Sequence, residues 1–178
     1  MTMLQKPISA QRGSALIVSL VFLLLLTILG VGAMQSSVLQ ERMAGNTRDI
    51  NLAFQAAEAA LTAGENILQQ MTPPVFDNSI AGYRAQIDQM TGSYWTAYNW
   101  DSNSPSTNGG SQQFVGNLDG IAAMPRFVIE KLNSVDVQGS AKFGSSSNKY
   151  TFYRITARGV GQSKDTVVVL QETYKSLD

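Results

Sequence analysis

Arg12-Gly13-Ser14-Ala15-Leu16-Ile17-Val18-Ser19-Leu20-Val21-Phe22-Leu23-Leu24-Leu25-Leu26-Thr27-Ile28-Leu29-Gly30-Val31-Gly32-Ala33-Met34 decides the fold. A basic residue and a glycine lead into an apolar run, and no charge follows Arg12 until Glu41. The run from Ala15 to Met34 is long enough for a helix to cross a bilayer core of roughly 30 Å at about 1.5 Å per residue. A secretory signal would have a shorter apolar region with its small-residue cleavage site after it. Here the candidate junction, Gly13-Ser14, lies before the run, so a cut there would leave the helix in place.

Lys6 and Arg12 flank the run on one side, whereas Gln35, Ser36 and Ser37 follow it on the other. The positive-inside bias therefore places the N-terminus in the cytoplasm and the remainder across the membrane, in the periplasm of a Gram-negative cell. Beyond leader and anchor, roughly 140 residues remain, enough for one domain. Lysine plus arginine equals aspartate plus glutamate at 13 each, and a cut after Gly13 would leave a net side-chain charge of −2. Nothing here has the basic footprint of a protein that binds nucleic acid directly. The chain has no cysteine and no histidine. That excludes disulfides, thiolate metal sites and the commonest general base, so no cofactor, no metal and no catalytic residue are expected.

Past the anchor, Met43, Ile50, Phe54, Ala57, Leu61, Leu68 and Met71 recur at helical spacing and predict one buried stripe. Thr72-Pro73-Pro74 ends the pattern. A single helix from about Ala15 to Met71 would be about 85 Å long. The divisions expected are a leader (1–13), an apolar half of the helix (14–40), an amphipathic half (41–72) and a domain (73–178). Asn99 to Gln113 reads as loop, and so does Gly139 to Asn148. Arg126 to Leu132, Tyr150 to Arg158 and Thr166 to Tyr174 are rich in β-formers, with turn residues from Gly159 to Asp165 between the last two. The fold class is α+β, a long N-terminal helix packed on a small antiparallel sheet.

Glu41-Arg42-Met43-Ala44-Gly45-Asn46 and Asn51-Leu52-Ala53-Phe54-Gln55-Ala56-Ala57-Glu58-Ala59-Ala60-Leu61 resemble the signature of PilX-type minor pilins. So do Pro125-Arg126-Phe127-Val128-Ile129-Glu130, Tyr153-Arg154-Ile155-Thr156-Ala157-Arg158-Gly159 and Val167-Val168-Val169-Leu170-Gln171. The resemblance implies cleavage by prepilin peptidase between Gly13 and Ser14, N-methylation of Ser14, and packing into a type IV pilus. Implied partners are other minor pilins, the major pilin, a PilY-type tip adhesin, the peptidase and the inner membrane. The implied role is to initiate pilus assembly at or near the tip, supporting twitching motility, adhesion or DNA uptake.

Three features depart from the major-pilin pattern. Ser14 stands where phenylalanine is usual, and Val18 stands where the fifth mature residue is usually glutamate. A helix-breaking proline is also missing, and Gly30 and Gly32 are the candidate weak points in its place.

Other motifs read more plainly. Glu58 and Glu65, two turns apart, are expected to be solvated or fibre-contacting charges and not a catalytic pair. Asp101-Ser102-Asn103 opens like a calcium loop, but Pro105 and Ser106 spoil its fifth and sixth positions. Tyr94, Trp95, Tyr98 and Trp100 fit two roles, core packing beneath the polar loop or a partner-binding patch. Two rival functions share parts of this pattern. A minor pseudopilin of a type II secretion system also lacks the glutamate, but its usual inserted domain does not fit in 178 residues. A membrane-anchored periplasmic enzyme is disfavoured by the missing histidine and cysteine.

Overall fold

The computed structural model describes residues 14–87, 94–106, 108–137 and 148–177. Helix α1 (Ser14–Leu68) is followed by β1 (Tyr83–Ala85), the single-turn α2 (Tyr94–Ala97) and β2 (Gln112–Gln113). Then come β3 (Arg126–Lys131), β4 (Val135–Val137), β5 (Asn148–Val160) and β6 (Val167–Leu177). The expected loop from Gly139 to Asn148 lies outside the described residues, save Asn148, which opens β5. The chain divides into two units, Met1–Asn46 and Thr47–Asp178.

In the second unit, the later turns of α1 pack on a six-stranded sheet. β5 is its spine. It pairs antiparallel with β3 and β4 on one side and with β6 on the other. β2 joins β3 antiparallel, but β1 runs parallel to β3, with Tyr83 opposite Ile129. The sheet is therefore mixed, not wholly antiparallel. The short run Tyr83–Ala85 enters after the long excursion from Leu68 rather than by a hairpin, so a parallel course is open to it.

Alternation on β3 shows how one strand serves two layers. Phe127 and Ile129 join Ala60, Leu68, Ile155 and Ala157 beneath the helix. Val128 faces the other way, onto Trp95, Tyr98 and Trp100. The sheet is thus covered on both faces, which explains why Arg126 to Glu130 are all buried. Burying side chains such as Ile129 and Ile155 contributes about 1.5–3 kcal/mol each.

The buried face of the helix differs from the expected stripe. Ala53, Ala56, Ala57, Ala60, Gly64 and Leu68 are buried, whereas Ile50 is 45% and Phe54 46% exposed, and Met71 lies outside the helix, fully exposed. The reason is close approach. A Cβ on Gly159 of β5 would overlap the Ala53 carbonyl oxygen and the Ala57 nitrogen, and one on Gly64 would lie 2.8 Å from Ile155 Cγ2. Only small residues fit between helix and sheet at that separation, so the larger apolar residues take the flank.

Asp49 fastens the same helix to the β5–β6 turn. Its carboxylate accepts from the Gln162 N–H at 2.5 Å, the Ser163 N–H at 3.3 Å and the Thr166 hydroxyl at 2.6 Å. Helix α1 ends at Leu68, short of Thr72-Pro73-Pro74. A tightened last turn, with the Gln70 N–H donating to the Ile67 carbonyl at 3.3 Å, closes it.

Candidate functional site

Two regions carry the candidate residues. The first is the start of α1. Ser14 is its first residue, and Gly13 lies outside the described residues. From Ser14 to Met34 every side chain is exposed, including Leu16 at 72%, Val18 at 52% and Leu29 at 69%. An 18-residue window in this helix has a mean hydropathy of 2.8, long and apolar enough to cross a membrane. Its two polar side chains between Ala15 and Met34 are satisfied locally. The Ser19 hydroxyl donates to the Leu16 carbonyl at 2.9 Å and the Thr27 hydroxyl to the Leu24 carbonyl at 2.8 Å. No acid occurs in the first turn. An apolar surface of this length is costly to leave in water and could anchor in a membrane. The helix runs through Gly30 and Gly32, and a Cβ at either would meet nothing within 4 Å. Two residues apart, they open on different faces of the helix, about 200° from one another.

The second region is the aromatic layer on the far side of the sheet. Trp95, Tyr98 and Trp100 are buried and Tyr94 is half-buried. Ring centroids of successive pairs lie 5.1 Å (Tyr94–Trp95, Trp95–Tyr98) and 5.2 Å (Tyr98–Trp100) apart, tilted or edge-on as aromatic quadrupoles prefer. The Trp100 indole N–H donates to the Trp95 carbonyl at 3.0 Å, and the Tyr98 hydroxyl donates to the Gly110 carbonyl at 2.5 Å. These bonds tie the rings to the loop they support, the polar segment read from Asn99 to Gln113.

Buried charges hold this layer to the sheet. Arg84 Nη1 donates to the Tyr98 hydroxyl at 3.1 Å and reaches the Tyr94 hydroxyl at 3.5 Å. Arg126 donates to the Trp100 carbonyl at 2.9 Å, the Ser111 hydroxyl at 3.0 Å and Asn103 Oδ1 at 2.9 Å. Fully buried Glu130 pairs with Arg154 Nε at 3.0 Å and accepts from the Ile87 N–H at 3.1 Å. Burial pushes the Glu130 carboxyl above its ordinary range, while Arg154 pulls it back. Burial likewise raises the Tyr98 hydroxyl, opposed by Arg84. Arg84, Arg126, Glu130 and Arg154 were not singled out from the sequence. The signal was there for two of them. Arg126 and Glu130 share strand parity with Val128, opposite to Phe127 and Ile129, inside a run too apolar to leave either charge in water.

Glu58 is exposed, but Glu65 is half-buried and its carboxyl meets that of Glu172 on β6. A hydrogen bond to Glu65, then desolvation and repulsion, push Glu172 up to about 7. No group of three metal-ligating side chains occurs among the described residues.

A family model described as PilX N-terminal matches residues 12–62. One described as type IV pilus assembly protein PilX C-term matches residues 46–176. No curated protein and no solved structure matches the chain.

Proposed function

The chain belongs to the PilX family of type IV pilus assembly proteins, and from that membership we propose that it is a minor pilin that helps initiate the fibre and sits at or near its tip. The role is non-enzymatic. The observation that carries this reading is Val18 in a charge-free, exposed helix start. A glutamate here would cost up to about 2–3 kcal/mol in the bilayer, a cost relieved by pairing with the amine of a subunit already in place. A subunit that begins the fibre has no such neighbour and gains nothing from the acid. With Val18 the chain forms no such pair, yet its own Ser14 amine still receives the next subunit's glutamate.

The reading includes cleavage by prepilin peptidase between Gly13 and Ser14, methylation of Ser14, and Gly30 and Gly32 as the helix's points of weakness. The N-terminus is cytoplasmic and the domain periplasmic before assembly, and the protein reaches the cell surface in the pilus. Partners are the other minor pilins, the major pilin and a PilY-type adhesin, and the machine's outputs are twitching, adhesion or DNA uptake. The exposed flank of Ile50 and Phe54 supplies apolar surface for helix packing.

Location is the test. Labelled protein should be found at pilus ends, and a deletion strain should carry few pili, partly restored when retraction is also disabled. Label spread evenly along shafts refutes the tip assignment.

A further inference from the structure

Strand β6 pairs with β5 at eleven consecutive positions, from Val160 opposite Val167 to Tyr150 opposite Leu177, without a bulge. Its other edge is joined to no described strand. Exposed edges are ordinarily blunted by proline, a bulge or inward charge. β6 has no proline, and Val167 to Gln171 are uncharged. On the face shared with the aromatic layer it presents Val167, Val169, Gln171, Thr173 and Lys175, all exposed. An eleven-residue edge without a bulge, uncharged over its first five residues, forms a template for a further strand.

Beside this edge lies a cleft of about 390 Å³, lined by Trp95, Tyr98 and Trp100, by Arg158 of β5, and by Val167 and Val169. Two donors there lack acceptors among the described residues. Trp95 is 8% exposed and its buried indole N–H has no hydrogen-bond partner. Arg158 is half-buried and its guanidinium makes no ion pair or hydrogen bond with a described residue. Asp101 also lines the cleft, but it is exposed and does not pair with Arg158. An unmatched guanidinium in a partly dry cleft is costly alone and favours a carboxylate.

We propose that the β6 edge docks an extended segment of a different protein, which adds as a strand and sets an aspartate or glutamate side chain against Arg158. The added residue opposite Val169 would stand two strand spacings, about 10 Å, from Arg158, a gap that an arginine and a glutamate bridge between them. Charge selects the occupant. Arg158 is the free cation of this face's described residues on β5 and β6, because Arg154 is held by Glu130 and the Lys175 ammonium lies over the Tyr150 ring, 3.7 Å from its centroid. A second copy is a poor occupant. Its β6 would carry Glu172 on the helix side and only Lys175 on the side of Arg158, so it offers that arginine no carboxylate. The proposal stands on edge and cleft alone, wherever in the pilus the chain sits.

The test uses the full chain in detergent micelles and a synthetic strand of about nine residues, alternating valine and threonine around a central glutamate, with glutamine-centred and lysine-centred versions. The glutamate peptide should bind roughly tenfold more tightly than the glutamine one, and the lysine one weakest. Binding should slow hydrogen exchange of the β6 amides that point away from β5. Arg158→Gln should abolish the preference while leaving the melting temperature in place. Should that variant fail to fold, the ranking and the exchange pattern in the unaltered chain decide. Equal binding of the three peptides, or binding that leaves β6 exchange unchanged, overturns the proposal. So does cross-linking that shows two copies joined through β6.

Discussion

Gly159 and Ala53 touch backbone to backbone: a methyl group on Gly159 would occupy the place of the Ala53 carbonyl oxygen. Neither partner can yield, since one is a turn of α1 and the other the spine of the sheet. Gly159→Ala should therefore cost about 3 kcal/mol, the upper end of overpacking penalties. Thermal melting of the full chain in detergent reads this directly. Gly45→Ala is the contrast. A Cβ there meets nothing within 4 Å, so the exchange should stabilise the helix by up to about 1 kcal/mol. If the two variants melt alike, the close approach is not what holds helix to sheet.

Asp49 fixes the turn that this approach delivers. Its carboxyl lies below the ordinary 3.8, held there chiefly by the Thr166 hydroxyl, with the Gln162 and Ser163 amides adding to the effect. A lowered acid stabilises the fold at neutral pH, and that share is lost only as pH falls through the folded value. Asp49→Ala should accelerate amide exchange at Gln162 and Ser163 at pH 7 while strands distant from the turn keep their protection. Unchanged exchange there would show that the turn holds its shape unaided.

The Glu65–Glu172 pair works in the opposite sense. Glu172 rises from an ordinary 4.5 to about 7, so the folded chain keeps a proton that the unfolded chain gives up. The stability from that proton is present at low pH and is lost as pH climbs between 4.5 and 7. Buried Glu130 is also raised and adds in the same direction, whereas Asp49 acts only below this window. The chain should melt at a higher temperature at pH 5 than at pH 8. Glu172→Gln, which keeps a hydrogen-bonding side chain without the charge, should make the profile shallower. A wild-type melting temperature that does not fall with rising pH would contradict the carboxyl contact.

How far the sequence alone carries can be judged from particular residues. The uncharged run after Arg12 was legible because a long apolar helix needs no tertiary information. β3, β5 and β6 were legible from their branched residues, although β5 extends to Asn148 and Val160 beyond the expected ends. The packed face of α1 was not legible. Periodicity marks which residues are apolar, and both the alanine face and the Ile50–Phe54 flank satisfy it. The choice between them was made by Gly159, more than a hundred residues away. β1 escaped because three residues carry no periodic signal, and its parallel pairing depends on where the chain returns. Glu65 meeting Glu172 is likewise a product of register between two elements, invisible to any local pattern.

The aromatic layer offers a graded test of whether it is core or partner surface. Trp100 is 5% exposed, its indole N–H serves Trp95, and its carbonyl receives Arg126. Trp100→Ala removes the ring and should cost about 3–5 kcal/mol. Trp100→Phe keeps most of the ring but leaves the buried Trp95 carbonyl without that donor, a loss of about 1–3 kcal/mol. Tyr94→Ala should cost least, since Tyr94 is half-buried and its hydroxyl sits at the long, 3.5 Å end of Arg84's reach. Melting of the three full-length variants should follow that order, with near-ultraviolet dichroism falling most for Trp100→Ala. The order is the informative quantity, because a partner surface would rank residues by exposure and not by burial. If Trp100→Ala melts like the unaltered chain while association with the other minor pilins disappears, the layer is an interface and the core assignment fails.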